Sequence, residues 1–454
     1  MKKEIGHLIG KDVIYEISSI VKNLTIEAEA ITSKLDKVNE LLLEKQKDEE
    51  MNEKLFCIQK NTEISQEFLS NEYVALSNIG EVGKTRLLIC GFYGAKNVGD
   101  ELMLEAILKL IPKDKFDITI LLSNNYDLDA SSYAPYKVLH YPKRSSDIAA
   151  IANSFDIVIW GGGAMLDDVE YEHRGQYSTI TYLFMSITKA VLRSGGHALI
   201  YGVSSNSILC DSVFLDDLAF VVKNADYFSL RDSNSLQALK KAGIDVSKID
   251  VIDDLSIYNL KGKTILDKEN GKELNIGLNL ILEEGRMEDY KSIISHISNY
   301  FDTPTRFTLI PFYNYQNHDQ KILKQLMLSI GGDVQCEITK QPDNTEELLE
   351  IISECDYVFA MRYHAVLISA LINKHTIMID YQKKHRHYTN KNNYIKTKYL
   401  PKLLSVDYDE LCKKGLSKNL VIPESGIETK MISVYANGIK RTIEKTLKAI
   451  GGNK

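Results

Sequence analysis

Cysteine is scarce and unpatterned in this 454-residue chain: six residues, at 57, 90, 210, 336, 355 and 412, form no CxxC pair and show no metal-ligand spacing. That excludes a disulfide-stapled scaffold and a cysteine-built zinc site, and it fits a reducing compartment. Long apolar runs are missing too. No stretch approaches the roughly eighteen apolar residues that a membrane span needs. The opening MKKEIGHLIGKDVIYEI carries lysines but neither an uninterrupted apolar run nor a small-residue cleavage site, so export is not expected either. Excess positive charge is also absent: the formal net charge of −7 offers no global attraction to nucleic acid. These absences leave a cytoplasmic protein, free or at the inner face of the membrane.

A different absence marks the N-terminal region. From Lys11 to Ile79 there is neither glycine nor proline, and Ile17, Val21, Leu24, Ala28, Ile31, Leu35, Val38 and Leu42 alternate by four and three residues. The spacing predicts a long helix or helical hairpin over residues 1–80, coiled-coil-like, fading into the charged stretch EKQKDEEMNEK at Glu44 to Lys54. Its apolar seam suits self-association into a homo-oligomer; packing on the chain's own body is the other use of such a seam.

Beyond Lys84 the chain turns β-rich. The runs LLICGF, ITILLS, IVIWGG, ALIYGV and DYFSLR read as buried strands, separated by helical patterns such as ELMLEAILKLI and SLQALKKAG. A polar interval, KGKTILDKENGK at Lys261 to Lys272, then interrupts the rhythm, and NIGLNL, RFTLIPF, YVFAMR and TIMIDY restart it. The expected fold is α/β, with two Rossmann-like βαβ domains at residues 84–262 and 273–425 and a closing helical segment at 426–454. Apolar content of 44% is ample for such cores. Ligands of parallel sheets sit beyond the carboxyl ends of the strands, so strand-end motifs from both halves should converge on one cleft.

Four such motifs stand out. In LLICGFYGAKNVGDELMLEAI (Leu87 to Ile107) a strand runs through Gly91, Gly94, Asn97 and Gly99 into a helix opening with Asp100 and Glu101. Such a corner can hold an anion on backbone N–H groups, or simply close a βα connection; the two acids can cap the helix or face a substrate hydroxyl. In FDIVIWGGGAMLDD (Phe155 to Asp168), Gly161, Gly162 and Gly163 let backbone approach a bulky ligand or only turn the chain. Trp160 just before them reads as core. In FSLRDSNSLQALKKAG (Phe228 to Gly243), Arg231 ends a strand and can reach an anion or pair with Asp232. In YVFAMRYHAVLISALINKHTIMIDYQKK (Tyr357 to Lys384), Arg362 and His364 occupy a strand-to-helix junction, a setting for carboxylate and phosphate recognition. His385 and His387 lack the acidic or cysteine neighbours that would make a metal site.

Taken together and in this order, from about Arg86 to Lys384, the four motifs resemble the polysaccharide pyruvyl transferase family. The resemblance implies a glycosyltransferase-B-like pair of domains and transfer of a pyruvyl group from phosphoenolpyruvate to saccharide hydroxyls, forming a ketal on a cell-surface polysaccharide or its precursor. It implies donor contacts from Arg231, Arg362 and Lys383, with His364 as general acid or phosphate partner. Acceptor contacts would come from Gly94, Asn97, Gly99, Gly162, Gly163 and Asp168, and Asp100 is the better acceptor base. The acceptor would be a lipid-linked or nucleotide-linked saccharide; no metal or cofactor besides the co-substrate is expected. Two departures are local: YGVSSNS replaces a glycine- and proline-rich run, and Asn279 replaces an arginine in NIGLNL. A nucleotide-sugar glycosyltransferase of the same architecture and a noncatalytic oligomeric scaffold are the competing readings.

Overall fold

The computed structural model describes residues 83–123, 133–142, 145–168, 180–205, 209–263, 272–313, 317–330, 334–381, 403–417, 420, 422 and 429–451. The N-terminal heptads, Lys383 and the His385/His387 pair lie outside the described residues.

The first half is a seven-stranded sheet of β1 (Thr85–Cys90), β2 (Phe116–Leu122), β3 (Lys137–His140), β4 (Ile157–Leu166), β5 (His197–Ser205), β6 (Tyr227–Leu230) and β7 (Ile249–Val251). Its spatial order is β3-β2-β1-β4-β5-β6-β7, and every pairing is parallel. Helices α1 (Val98–Leu110), α2 (Ser145–Ser154), α3 (Ile180–Arg193), α4 (Ser212–Asn224) and α5 (Ser233–Lys241) make the crossovers, and a 3₁₀ helix (Leu255–Leu260) follows β7. The apolar runs explain the plan: Leu87 to Cys90 and Ile157 to Trp160 are all fully buried, as strands covered on both faces must be. Trp160 is core, its indole N–H donating to Thr188 Oγ1 at 2.8 Å.

The second half is a six-stranded parallel sheet of β8 (Leu274–Asn279), β9 (Thr305–Leu309), β10 (Gln335–Ile338), β11 (Tyr357–Ala360), β12 (His375–Asp380) and β13 (Leu404–Asp407), ordered β10-β9-β8-β11-β12-β13. Its helices are α6 (Met287–Tyr300), α7 (His318–Ile330), α8 (Thr345–Ser353), α9 (Tyr363–Leu371) and α10 (Tyr408–Lys414). Two parallel sheets thus make up the pair of Rossmann-like βαβ domains that the alternating sequence pattern implied.

Helix α1 joins the halves. Asn97 caps it, accepting from Gly99 N at 3.3 Å, while Asp100 and Glu101 at its start and Lys109 at its end complement the helix dipole. Leu102, Met103, Ala106, Ile107 and Leu110 form its buried face. They belong to one apolar core with Leu348, Ile352, Ala365, Val366 and Leu367 from the second half. Helix α11 (Thr429–Gly451) returns to the same core, burying Ile432, Ala436, Ile439, Ile443 and Leu447 at helical spacing, and it packs on the 3₁₀ helix and α1. Truncating Ile107, which is fully buried at this junction, should cost about 2–5 kcal/mol.

Topology decides where a ligand can sit. Crossovers diverge between β1 and β4 in the first sheet, and between β8 and β11 in the second. Crevices open at such switch points. β1 and β4 carry two of the glycine motifs there, and β11 leads into Arg362 and His364.

Candidate active site

A cleft of about 320 Å³ lies at these strand ends. Asn97, Gly99 and Asp100 line it from the start of α1, Gly163 and Met165 from β4, and Arg231 from the end of β6. The second half contributes Ile281, Phe312, Arg362 and His364. Residues far apart in sequence therefore share one space, and the first turns of α1, α3 and α9 line it.

The two arginines are held differently. Arg231 is 4% exposed; its Nε donates to Ser204 Oγ at 3.0 Å, its Nη1 lies 3.2 Å from Asp254 Oδ2, and its guanidinium sits 4.5 Å from the centre of the Tyr363 ring. Neighbouring Asp232 caps α5 instead, accepting from Ser235 N at 2.6 Å. Arg362 is under-paired: its Nη2 is 3.8 Å from Asp319 Oδ1, and its buried Nε has no hydrogen-bond partner among the described residues. Burial pushes its pKa below the ordinary value, against the opposing pull of Asp319, Tyr313 and Asp100. An arginine so placed stays charged and retains donors for an anion.

Asp254 is fully buried and shared. Oδ1 accepts from Ser256 N at 3.0 Å and Ser256 Oγ at 2.6 Å, and His364 Nε2 approaches the same oxygen at 3.5 Å, ion-pair distance without an aligned hydrogen bond. Burial alone would raise its pKa, but His364, Arg231 and Ser256 outweigh that and hold the carboxyl well below the usual range. Asp319, also fully buried, accepts from the backbone N–H groups of Phe312 and Tyr313 and stands beside Arg362. Each arginine thus faces one enclosed carboxylate. Neither acid was singled out in the sequence, although Asp254 follows β7 as the second residue of an Asp-Asp pair and Asp319 stands in the first turn of α7.

The glycines divide by function. Gly163, with φ +100°, faces Asp100: a Cβ there would lie 3.1 Å from Asp100 Oδ1. Gly91 and Gly161 instead make room for the buried Tyr93 ring, and a Cβ on Gly162 would strike Met103 Sδ at 2.8 Å. Those positions answer to internal packing. Gly94, φ +79°, turns the loop and donates its N–H to Glu101 Oε1 at 2.9 Å, an oxygen that also accepts from Tyr133 O–H at 3.0 Å. Of the two acids opening α1, Asp100 therefore lines the cleft and Glu101 folds back to brace the turn.

Oδ2 of Asp168 accepts from the backbone N–H groups of Cys210 and Asp211, fixing the approach to α4. Of the sequence-derived candidates, Asn97, Gly99, Asp100, Gly163, Arg231, Arg362 and His364 line the cleft together, whereas Gly94, Gly162 and Asp168 are not among its lining residues. Asn279 is a support: its Oδ1 accepts from Arg362 N at 3.2 Å and its Nδ2 donates to Ile310 O at 3.0 Å, so it sets the strand end from which Arg362 projects. Ser204, within the departing YGVSSNS run, serves Arg231 in the same way.

A family model described as polysaccharide pyruvyl transferase matches residues 97–383. No curated protein matches the chain. Among solved structures, the UDP-GlcNAc 2-epimerase of Methanocaldococcus jannaschii aligns at 11% identity with a TM-score of 0.49, over 80% of this chain and 99% of that one. The UDP-GlcNAc 2-epimerase of Neisseria meningitidis bound to UDP-GlcNAc aligns at 11% identity with a TM-score of 0.45, over 80% and 99%.

Proposed function

The chain belongs to the polysaccharide pyruvyl transferase family, and from that premise we propose that it transfers the pyruvyl group of phosphoenolpyruvate to two hydroxyls of a saccharide, forming a ketal. One observation carries this reading: Arg231, Arg362 and His364, drawn from both sheets, meet in a single cleft beside Asp100. A small anionic enol needs cations for its carboxylate and phosphate, and planar guanidiniums suit both groups.

In the reaction so read, His364 gives a proton to the methylene carbon, and positive character develops at the adjacent carbon bearing carboxylate and phosphate. One acceptor oxygen bonds to that carbon while Asp100 takes its proton. The second acceptor oxygen then attacks the same carbon as its bond to the phosphate oxygen breaks, and that hydroxyl's proton leaves with phosphate. Between turnovers His364 regains a proton from solvent and Asp100 releases to solvent the one it took. Arg362 and Arg231 neutralise the donor throughout, Lys383 adds a further donor contact, and Asn97, Gly99 and Gly163 shape the acceptor side. The acceptor is a lipid-linked or nucleotide-linked saccharide, and the reading needs no metal and no cofactor beyond the co-substrate.

Calorimetry in the presence of a chelator tests it. Saturable binding of phosphoenolpyruvate is expected; saturable binding of a nucleotide sugar with no response to phosphoenolpyruvate would overturn the proposal in favour of a glycosyltransferase.

A further inference from the structure

We propose that Asp254 is the positioning residue of this site: its one carboxylate ties Arg231 to His364, holds the imidazole by Nε2, and leaves Nδ1 as the nitrogen that moves protons in the cleft. The step it serves rests on the pyruvyl-transfer reading; the tether itself does not.

The geometry separates the two ring nitrogens. Nε2 is buried and turned toward Asp254 Oδ1 at 3.5 Å. Nδ1 is packed against Gly99, which with His364 lines the cleft. An anion beside one ring nitrogen keeps a proton there, and which nitrogen of a histidine is protonated is set by the partner of the other. Asp254 is suited to that task because it is fully buried and cannot drift: Ser256 occupies Oδ1 through two hydrogen bonds and Arg231 occupies Oδ2.

The same carboxylate couples donor binding to proton transfer. Other charged or titratable groups sharing the imidazole's surroundings are Arg231 from the end of β6, Asp100 from α1, and Arg362 and Tyr363 beside it at the start of α9, with the Tyr363 ring centre 5.0 Å from that of His364. The group in ion-pair contact with His364 among the described residues is none of these but Asp254. An anionic donor that draws Arg231 toward itself releases part of Asp254's charge, which then falls more fully on His364.

Two measurements test this, one of them independent of any activity. Nitrogen-15 spectra of the histidine-labelled wild-type protein, with the His364 signals assigned by their loss in His364→Gln, should show the neutral imidazole protonated on Nε2. A neutral form protonated on Nδ1 would overturn the tether whatever the substrate is. In Asp254→Asn, kcat should fall on the order of 100-fold with a smaller change in the KM for phosphoenolpyruvate, and the Nε2-protonated population should fall with it. A folded Asp254→Asn protein with wild-type kcat and an unchanged tautomer would also overturn it. If wild type turns over no phosphoenolpyruvate at all, the donor assignment fails, while the spectra still decide the tether.

Discussion

A Cβ atom at Gly99 would overlap Nδ1 of His364, so the first turn of α1 and the first turn of α9 meet at a contact that only glycine permits. Gly99→Ala should therefore displace the imidazole. The overlap is overpacking, so the variant should still fold with a melting temperature lowered by a cost of about 1–3 kcal/mol, offset in part by alanine's better helix propensity. Turnover should drop on the order of 100-fold, since a shift of about an ångström in a reacting group is enough. Steady-state kinetics beside a melting curve checks this, and retained turnover would show that His364 has room to spare.

The arginines should fail differently. Arg362 is weakly paired within the protein, and its Arg362→Lys variant should fold normally while the KM for donor rises by about 10-fold or more, because an ammonium cannot make the planar two-donor contact. Arg231 is bound to Ser204 and Asp254, and Arg231→Met should cost stability on the order of 3 kcal/mol by leaving a buried carboxylate without its cation. Denaturant melts and donor titrations on both variants separate the two behaviours.

Glu101 supplies a pH signature. Burial pushes its carboxyl up to about 7, against the hydrogen bonds it accepts from Gly94 and Tyr133, and nearby Asp343 adds to the rise. A carboxyl with a raised folded pKa binds its proton more tightly folded than unfolded, so its contribution to stability is full below about 4.5 and is lost as pH climbs through about 7. Between pH 5 and 8 wild type should lose on the order of 1–3 kcal/mol relative to Glu101→Gln, whose amide oxygen can accept the same two hydrogen bonds. Parallel melts across that pH range decide it; identical slopes would show that the carboxylate is comfortably solvated.

Much of this plan was legible in the sequence because parallel strands buried on both faces leave unbroken apolar runs, and because their ends carry the glycines and cations that a ligand needs. The alternation around Leu87, Ile157 and Val358 located the sheets, and Arg231, Arg362 and His364 were visible as strand-end residues. Their partners were not. Asp254 meets His364 from 110 positions away in the chain, counting from 254 to 364, a distance that only the strand order brings to contact. Asp168 looked like a ligand-facing acid, yet backbone N–H groups of Cys210 and Asp211 claim it. Gly91 and Gly161 looked like ligand-facing glycines, yet the Tyr93 ring fills the space they leave. A residue type at a strand end signals a site; which way the side chain turns is settled by neighbours remote in sequence.

The central claim is ketal formation at the expense of phosphoenolpyruvate, and product mass measured together with released phosphate tests it most directly. Wild-type protein incubated with phosphoenolpyruvate and a panel of saccharide acceptors should yield an acceptor heavier by one pyruvate ketal for each phosphate released, and His364→Asn, still able to bind donor, should yield almost none. An acceptor that gains a hexose from a nucleotide sugar, with phosphoenolpyruvate left intact, would contradict the account.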